Sequence, residues 1–315
     1  MNLRSVLVSD YFKIAELLSE TFKSEGYVGE VQLVDSLRRH INYDPELEVI
    51  CEIEGKIIGH VLFTPYTAYI DGQKLKAVNL APLSVLPDYQ KQGIGRKLVE
   101  YGHQVAKNKG YHYSFLWGHP SYYPRLGYEG QLFGLNQVSL SVDHIDETKV
   151  NHSWSNIVKE DLPVLHNMWL DWHQDVDLAI EPSQSLQAWL PNYNHMEAYV
   201  AIRDQEIVGY IRRERANKQG ISHLLVKDVE ALESILAEYK KEYKLDSIIL
   251  PISESSYSQE MLKTFKPLYM VRSSEACMIC VLDEDCIVVK NYCDELKNRK
   301  RNLGQIILPP NYDIE

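Results

Sequence analysis

Apolar and polar residues alternate along the first third of the chain in a way that sets out its elements. Leu3–Val8 predicts a strand, and Ser9 or Asp10 is placed to cap a helix running to about Phe22. Val31, Leu33, Val34, Leu37 and Ile41 recur at helical spacing and predict a second helix over Gly29–His40. Two apolar runs, Leu47–Ile53 and Ile57–Ile70, flank Glu54-Gly55-Lys56 and predict a hairpin. Asp71-Gly72 turns the chain into another strand, which Pro87 stops. Leu98, Val99 and Val105 give the next segment one apolar face, Gly110 ends it, and Tyr113–Trp117 predicts a strand. Antiparallel hairpins with a single strand–helix–strand crossover make this an α/β fold, a mixed and mostly antiparallel sheet flanked by helices.

At 315 residues the chain has room for two cores, and 45% apolar with 24% charged residues is ordinary for a globular protein. No run of eighteen apolar residues predicts a membrane span, and the first ten residues lack a secretion signal. Five unevenly scattered cysteines argue against a disulfide framework, so a cytoplasmic location is expected. A net charge of −11 argues against nucleic acid as the main partner and is compatible with a cationic amine.

The most informative segment follows the strand stopped at Pro87. Gln90-Lys91-Gln92-Gly93-Ile94-Gly95 is a loop stripped of side chains at two glycines, feeding directly into a helix. Backbone N–H groups there lack helical partners, the helix dipole favours an anion, and Arg96 and Lys97 add positive charge. A phosphate site is expected. The dinucleotide fingerprint Gly-x-Gly-x-x-Gly and the P-loop Gly-x-x-x-x-Gly-Lys-Ser/Thr are both missing.

What is present resembles the GNAT superfamily of acyl-CoA-dependent N-acyltransferases, with Gln/Arg-x-x-Gly-x-Gly/Ala matched at Gln90, Gly93 and Gly95. Leu83-Ser84-Val85 is similar to the family strand that pairs with pantetheine, and Tyr123 to Tyr128 to its Tyr-x-x-x-Gly-Phe/Tyr segment. The resemblance covers roughly residues 3–142 and is nearest to a bacterial group of predicted acetyltransferases. It implies acetyl-CoA as acyl donor, held by Leu83, Ser84, Val85 and the Gln90–Arg96 loop (Gln90, Lys91, Gln92, Gly93, Ile94, Gly95, Arg96), with no metal.

The second half repeats the order of elements. Helices are predicted at Glu160–Asp171 and Ser183–Leu190, then a hairpin at Ala198–Arg203 and Ile207–Arg213, whose Ile-Val-Gly parallels the earlier Ile-Ile-Gly. Ile221–Val226, Val229–Tyr243, Leu245–Pro251 and Tyr269–Leu282 continue as strand, helix and strands. In place of the glycine loop stands Val226-Lys227-Asp228-Val229-Glu230, whose carboxylates would repel phosphate. Two tandem GNAT-like domains are expected: 1–145 holding acetyl-CoA, 151–283 degenerate, and 284–315 a tail.

Acyl transfer from a thioester to an amine needs a base for the amine, a donor for the oxyanion and a proton for the thiolate. The resemblance assigns the oxyanion to N–H groups near Ser84 and Val85, and the thiolate's proton to Tyr123, with Tyr122 as competitor. The base stays open. The resemblance implies a carboxylate on the strand before the glycines, as many members of the family carry, but this chain has Asn79, Ala81 and Pro82 there. Glu30, a water chain, His119, and Glu315 by analogy with tandem relatives remain candidates. Cys277 and Cys280 lie three apart in a predicted strand, face opposite sides and predict core packing. Trp169, Trp172, His173, Asp175 and Asp177 predict a domain interface or a substrate pocket, and Lys297–Arg301 a solvated helix face. The expected function is acetyl transfer to a small-molecule or protein amine, with a non-catalytic CoA-binding scaffold as alternative; a homo-oligomer is left open.

Overall fold

The computed structural model describes residues 1–23, 29–310 and 312. In chain order the first elements are β1 (Asn2–Ser5), α1 (Tyr11–Phe22), α2 (Gly29–Arg38), β2 (Glu48–Ile53), β3 (Lys56–Ile70) and β4 (Gln73–Val85). Next come α3 (Ile94–Asn108), β5 (Tyr113–Trp117), β6 (Phe133–Ser141), β7 (Ser153–Ser155), α4 (Leu162–His173) and β8 (Leu178–Ile180). Then follow β9 (Met196–Arg203), β10 (Glu206–Glu214), β11 (Ile221–Val226), α5 (Val229–Tyr243), β12 (Ser247–Leu250) and α6 (Ser256–Leu262). The last are β13 (Leu268–Ser274), β14 (Cys277–Val281), α7 (Ile287–Lys297) and β15 (Gly304–Ile307). No described helix is long and apolar enough to cross a membrane.

The chain divides into two units. Unit 1 comprises Met1–Ala68, Leu75–Phe133 and Ser274–Asn302; unit 2 comprises Tyr69–Lys74, Gly134–Ser273 and the chain from Leu303 on. Each has its own buried apolar cluster.

In unit 1, β1, β2, β3 and β4 run antiparallel in sequence order, from Leu3 opposite Cys51 to Val49 opposite Val61. The β2–β3 turn places Glu54 at φ 50° and Gly55 at φ 79°, the doubly left-handed geometry that suits the strands' twist. β5 then pairs parallel with β4 after the α3 crossover. Helix α3 approaches β3 closely: a Cβ on Gly102 would collide with the Phe63 ring.

Three expectations change here. Asp10 stands at the start of α1 but caps no helical N–H; it accepts from Leu7 N–H at 2.9 Å and pairs with Arg4. The run Tyr269–Leu282 is two strands, and β14 belongs to unit 1, antiparallel to β5 with Phe115 opposite Ile279. Residues 284–315 form no single tail. Up to Asn302 they belong to unit 1 and include α7, whereas β15 pairs parallel with β8 in unit 2. Both changes come from strand partners remote in sequence.

Unit 2 repeats strand, helix, hairpin, strand, helix, strand in β7, α4, β9–β10, β11, α5 and β12, with the sheet ordered β11-β10-β9-β7. The helix expected at Ser183–Leu190 is only a 3-10 turn, Leu186–Ala188, entered from Ser185 in extended backbone. Trp169 and Trp172 lie in this unit's core, and Trp172 donates through Nε1 to the Val226 carbonyl at 2.8 Å. Asp175 accepts from Ser256, and Asp177 from the Gln305 N–H.

Candidate functional site

The glycine loop forms the start of α3 in unit 1. Gly93 is the N-cap at φ 78°, a conformation that suits glycine, and the first intrahelical bond runs from Lys97 N–H to the Gly93 carbonyl at 3.1 Å. The N–H groups of Ile94, Gly95 and Arg96 precede that bond, as an anion-binding helix start requires. The two glutamines fasten the loop: Gln90 donates to the Val85 carbonyl at 3.0 Å and Gln92 to the Asp88 carbonyl at 3.1 Å. Lys91 is exposed with φ 60°, and Arg96 reaches the Arg125 carbonyl at 3.2 Å.

The strand before the loop separates from its neighbour. The β4–β5 ladder runs from Ala77 opposite Tyr113 to Asn79 opposite Phe115, whereas β4 continues to Val85. Leu83 and Val85 are half-buried and Ser84 is buried.

Two tyrosines lie beside this opening, each over a glycine. A Cβ on Gly95 would collide with the Tyr122 hydroxyl, and one on Gly118 with the Tyr123 ring. Tyr123 packs edge-on to Tyr122, at 5.2 Å between centroids, and to Tyr128 at 5.7 Å. Burial pushes the Tyr123 hydroxyl above its ordinary range, so it keeps its proton at neutral pH. Burial also raises Tyr122, with Arg96 pulling the other way.

Residues 2–130 match the model of the acetyltransferase (GNAT) domain family. That stretch is a GNAT domain. Its relatives include the uncharacterized N-acetyltransferases YjhQ and YhbS of Escherichia coli K12. YjhQ is 36% identical over 121 residues, which cover 38% of this chain and 65% of that protein. YhbS is 35% identical over 116 residues, covering 37% of this chain and 66% of that protein. The chain thus spans just under two thirds of the length of each. A GCN5-related N-acetyltransferase from Anabaena variabilis shares the fold at TM-score 0.64 and 15% identity, over 90% of this chain and 73% of that one.

Within the GNAT domain the structure brings together Leu83–Val85, Gln90–Arg96, Tyr122 and Tyr123. His119 is exposed, and its carbonyl accepts from Tyr122 N–H at 3.0 Å, a turn contact. Glu30 lies in the first turn of α2, and Glu315 is outside the described residues. Asn79, on the strand before the glycines, is buried and donates to the Phe115 carbonyl at 3.2 Å.

Two features of the GNAT domain escaped the sequence reading. Tyr128, the support of Tyr123, shares hydrogen bonds with Ser114 at 2.6 Å and His103 at 2.9 Å. Glu48 and His60 form a buried pair. Glu48 inside the apolar run Leu47–Ile53 and His60 inside Ile57–Phe63 were the available signal. Cys277 and Cys280 are buried in β14, and burial pushes the Cys280 thiol up to about 12.

In unit 2 the start of α5 is filled by its own carboxylate. Asp228 accepts from Ala231 N–H at 2.7 Å and pairs with Arg203 at 2.8 Å. That carboxylate satisfies the orphan N–H a phosphate would need.

Proposed function

We propose that the chain transfers the acetyl group of acetyl-CoA to an amine by direct attack in a ternary complex. The observation that carries this is the uncapped start of α3, placed beside the separated end of β4 and the half-buried, protonated Tyr123. The CoA pyrophosphate would lie on the N–H groups of Ile94, Gly95 and Arg96, and pantetheine would pair along Leu83–Val85. Backbone N–H near Ser84 and Val85 would stabilise the oxyanion, and Tyr123 would protonate the departing thiolate. Unit 2, with Asp228 at its helix start, serves as a degenerate GNAT-like domain that binds no second CoA.

Asn79 favours a second reading, a CoA-binding scaffold without catalysis, because its side chain is an amide already committed to the Phe115 carbonyl and supplies no carboxylate base on this strand. Calorimetric titration with acetyl-CoA, followed by an assay of CoA release over an amine panel, tests both. Binding at one site per chain, abolished by Gly95→Asp, with amine-dependent CoA release supports the enzyme. Binding with no release from any amine supports the scaffold, and no binding removes both.

A further inference from the structure

Packing alone orients the proposed acid. Among the described residues the Tyr123 hydroxyl makes no hydrogen bond, so its aim follows from the rings and backbone around it. The ring stands over Gly118, where a Cβ would collide with it, and in edge-to-face contact with Tyr122 and Tyr128. Tyr122 is 37% exposed and Tyr128 only 2%, which leaves Tyr128 as the fixed wall of this cage.

Tyr128 is held from several sides. Its hydroxyl lies 2.6 Å from Ser114 Oγ on β5 and 2.9 Å from His103 Nε2 on α3. Its own N–H donates to the Tyr123 carbonyl at 3.3 Å, and the next residue, Glu129, exchanges both backbone bonds with Ile279 of β14 at 2.7 and 3.1 Å. A phenol donates one proton and accepts another, so one hydroxyl satisfies both side-chain neighbours. Burial lowers His103 to about 4 and raises Tyr128, so this chain of groups is uncharged at neutral pH. Phenylalanine would fill the same space, and a buried hydroxyl costs free energy unless it is bonded. What the hydroxyl adds here is position. It ties the ring to α3, whose start is the glycine loop, and to β5, where Ser114 stands opposite Val78 one rung before the β4–β5 ladder ends.

We propose that Tyr128 is a positioning residue for the thiolate's acid: clamped by Ser114 and His103, its ring sets where the Tyr123 hydroxyl stands relative to the α3 start and the end of β4. The role rests on the acetyltransferase reading with Tyr123 as acid. As the C–S bond breaks, the thiolate takes the Tyr123 proton, and the proton lost by the amine returns to the phenolate through solvent, leaving amide and free CoA. Tyr128 exchanges no proton in this step. Its two hydrogen bonds resist displacement of its ring, and Tyr123, held only by rings and by Gly118, follows that ring. The CoA phosphates and the proton donor are thereby referred to one helix, α3, so that the thioester sulfur and the Tyr123 hydroxyl keep their separation. An error of about 1 Å in such a separation costs up to about 100-fold in rate.

The test is a double-mutant cycle in the full chain, read by CoA release from acetyl-CoA with primary alkylamines and by calorimetric affinity for acetyl-CoA. Tyr128→Phe keeps the ring and removes its ties to Ser114 and His103. The expected result is a fall in kcat of about tenfold with acetyl-CoA affinity unchanged. In the Tyr123→Phe background the same substitution should lower kcat by less than about twofold, because no hydroxyl is left to aim. No fall in Tyr128→Phe alone overturns the proposal. An equal fall in both backgrounds also overturns it and gives Tyr128 a purely structural role. If Tyr128→Phe does not fold, Ser114→Ala, which cuts one tie and leaves the other, is read by the same cycle. Two further results overturn the proposal through the reading beneath it and are told apart from these. Full activity of Tyr123→Phe removes the acid, and acetyl-CoA binding with no CoA release from any amine removes the acetyltransferase.

Discussion

The side-chain amide of Asn79 donates to the Phe115 carbonyl at 3.2 Å, at the rung where the β4–β5 ladder ends. One buried side chain thus continues the ladder by a single bond just before β4 separates. Asn79→Asp would set a carboxylate against a carbonyl, two acceptors with no proton between them unless the acid protonates. We expect it to destabilise unit 1 by about 1–3 kcal/mol, with Asn79→Ala costing a similar amount. Urea unfolding checks both; an unchanged midpoint for Asn79→Asp would show that the bridge does not hold the strands.

Gly95 and Tyr122 are coupled through space. Gly95→Ala places a methyl group where the Tyr122 hydroxyl stands, so it should displace the tyrosine and weaken acetyl-CoA binding about tenfold or more. In Gly95→Ala/Tyr122→Phe the colliding oxygen is gone, and much of that loss should return. A double-mutant cycle by calorimetry measures the coupling; strict additivity would refute it.

Tyr123→Phe keeps the ring against Tyr122 and Tyr128 and removes only the hydroxyl. Under the proposed mechanism kcat should drop by about 100-fold while acetyl-CoA affinity and unfolding midpoint stay close to wild type. An equal drop in Tyr122→Phe, with Tyr123→Phe fully active, would transfer the acid role to its neighbour.

His103 makes stability depend on pH. Burial lowers its pKa from 6.5 to about 4, so below pH 6.5 the unfolded chain binds a proton that the folded protein refuses. Its contribution is complete above pH 6.5 and is lost as pH falls toward 4, amounting to about 3 kcal/mol. Unfolding free energies measured across that window should fall less steeply in His103→Gln than in wild type.

Much of this protein was legible in its sequence because the signals are local. The turns at Glu54-Gly55 and Asp71-Gly72, the glycine loop Gln90–Gly95 and the helical face of Leu98, Val99 and Val105 depend on residues adjacent along the chain. The carboxylate at Asp228, which fills the α5 start, was legible for the same reason. Strand partners were not. Backbone ladders carry no sequence code, so nothing near Cys277–Val281 announces that β14 pairs with β5 in unit 1 rather than within unit 2. Glu48 and His60 were missed on energetic grounds. A carboxylate and an imidazole inside apolar runs are costly until partners surround them, and only the folded chain brings Arg38, Tyr43 and the two strands together to offset that cost.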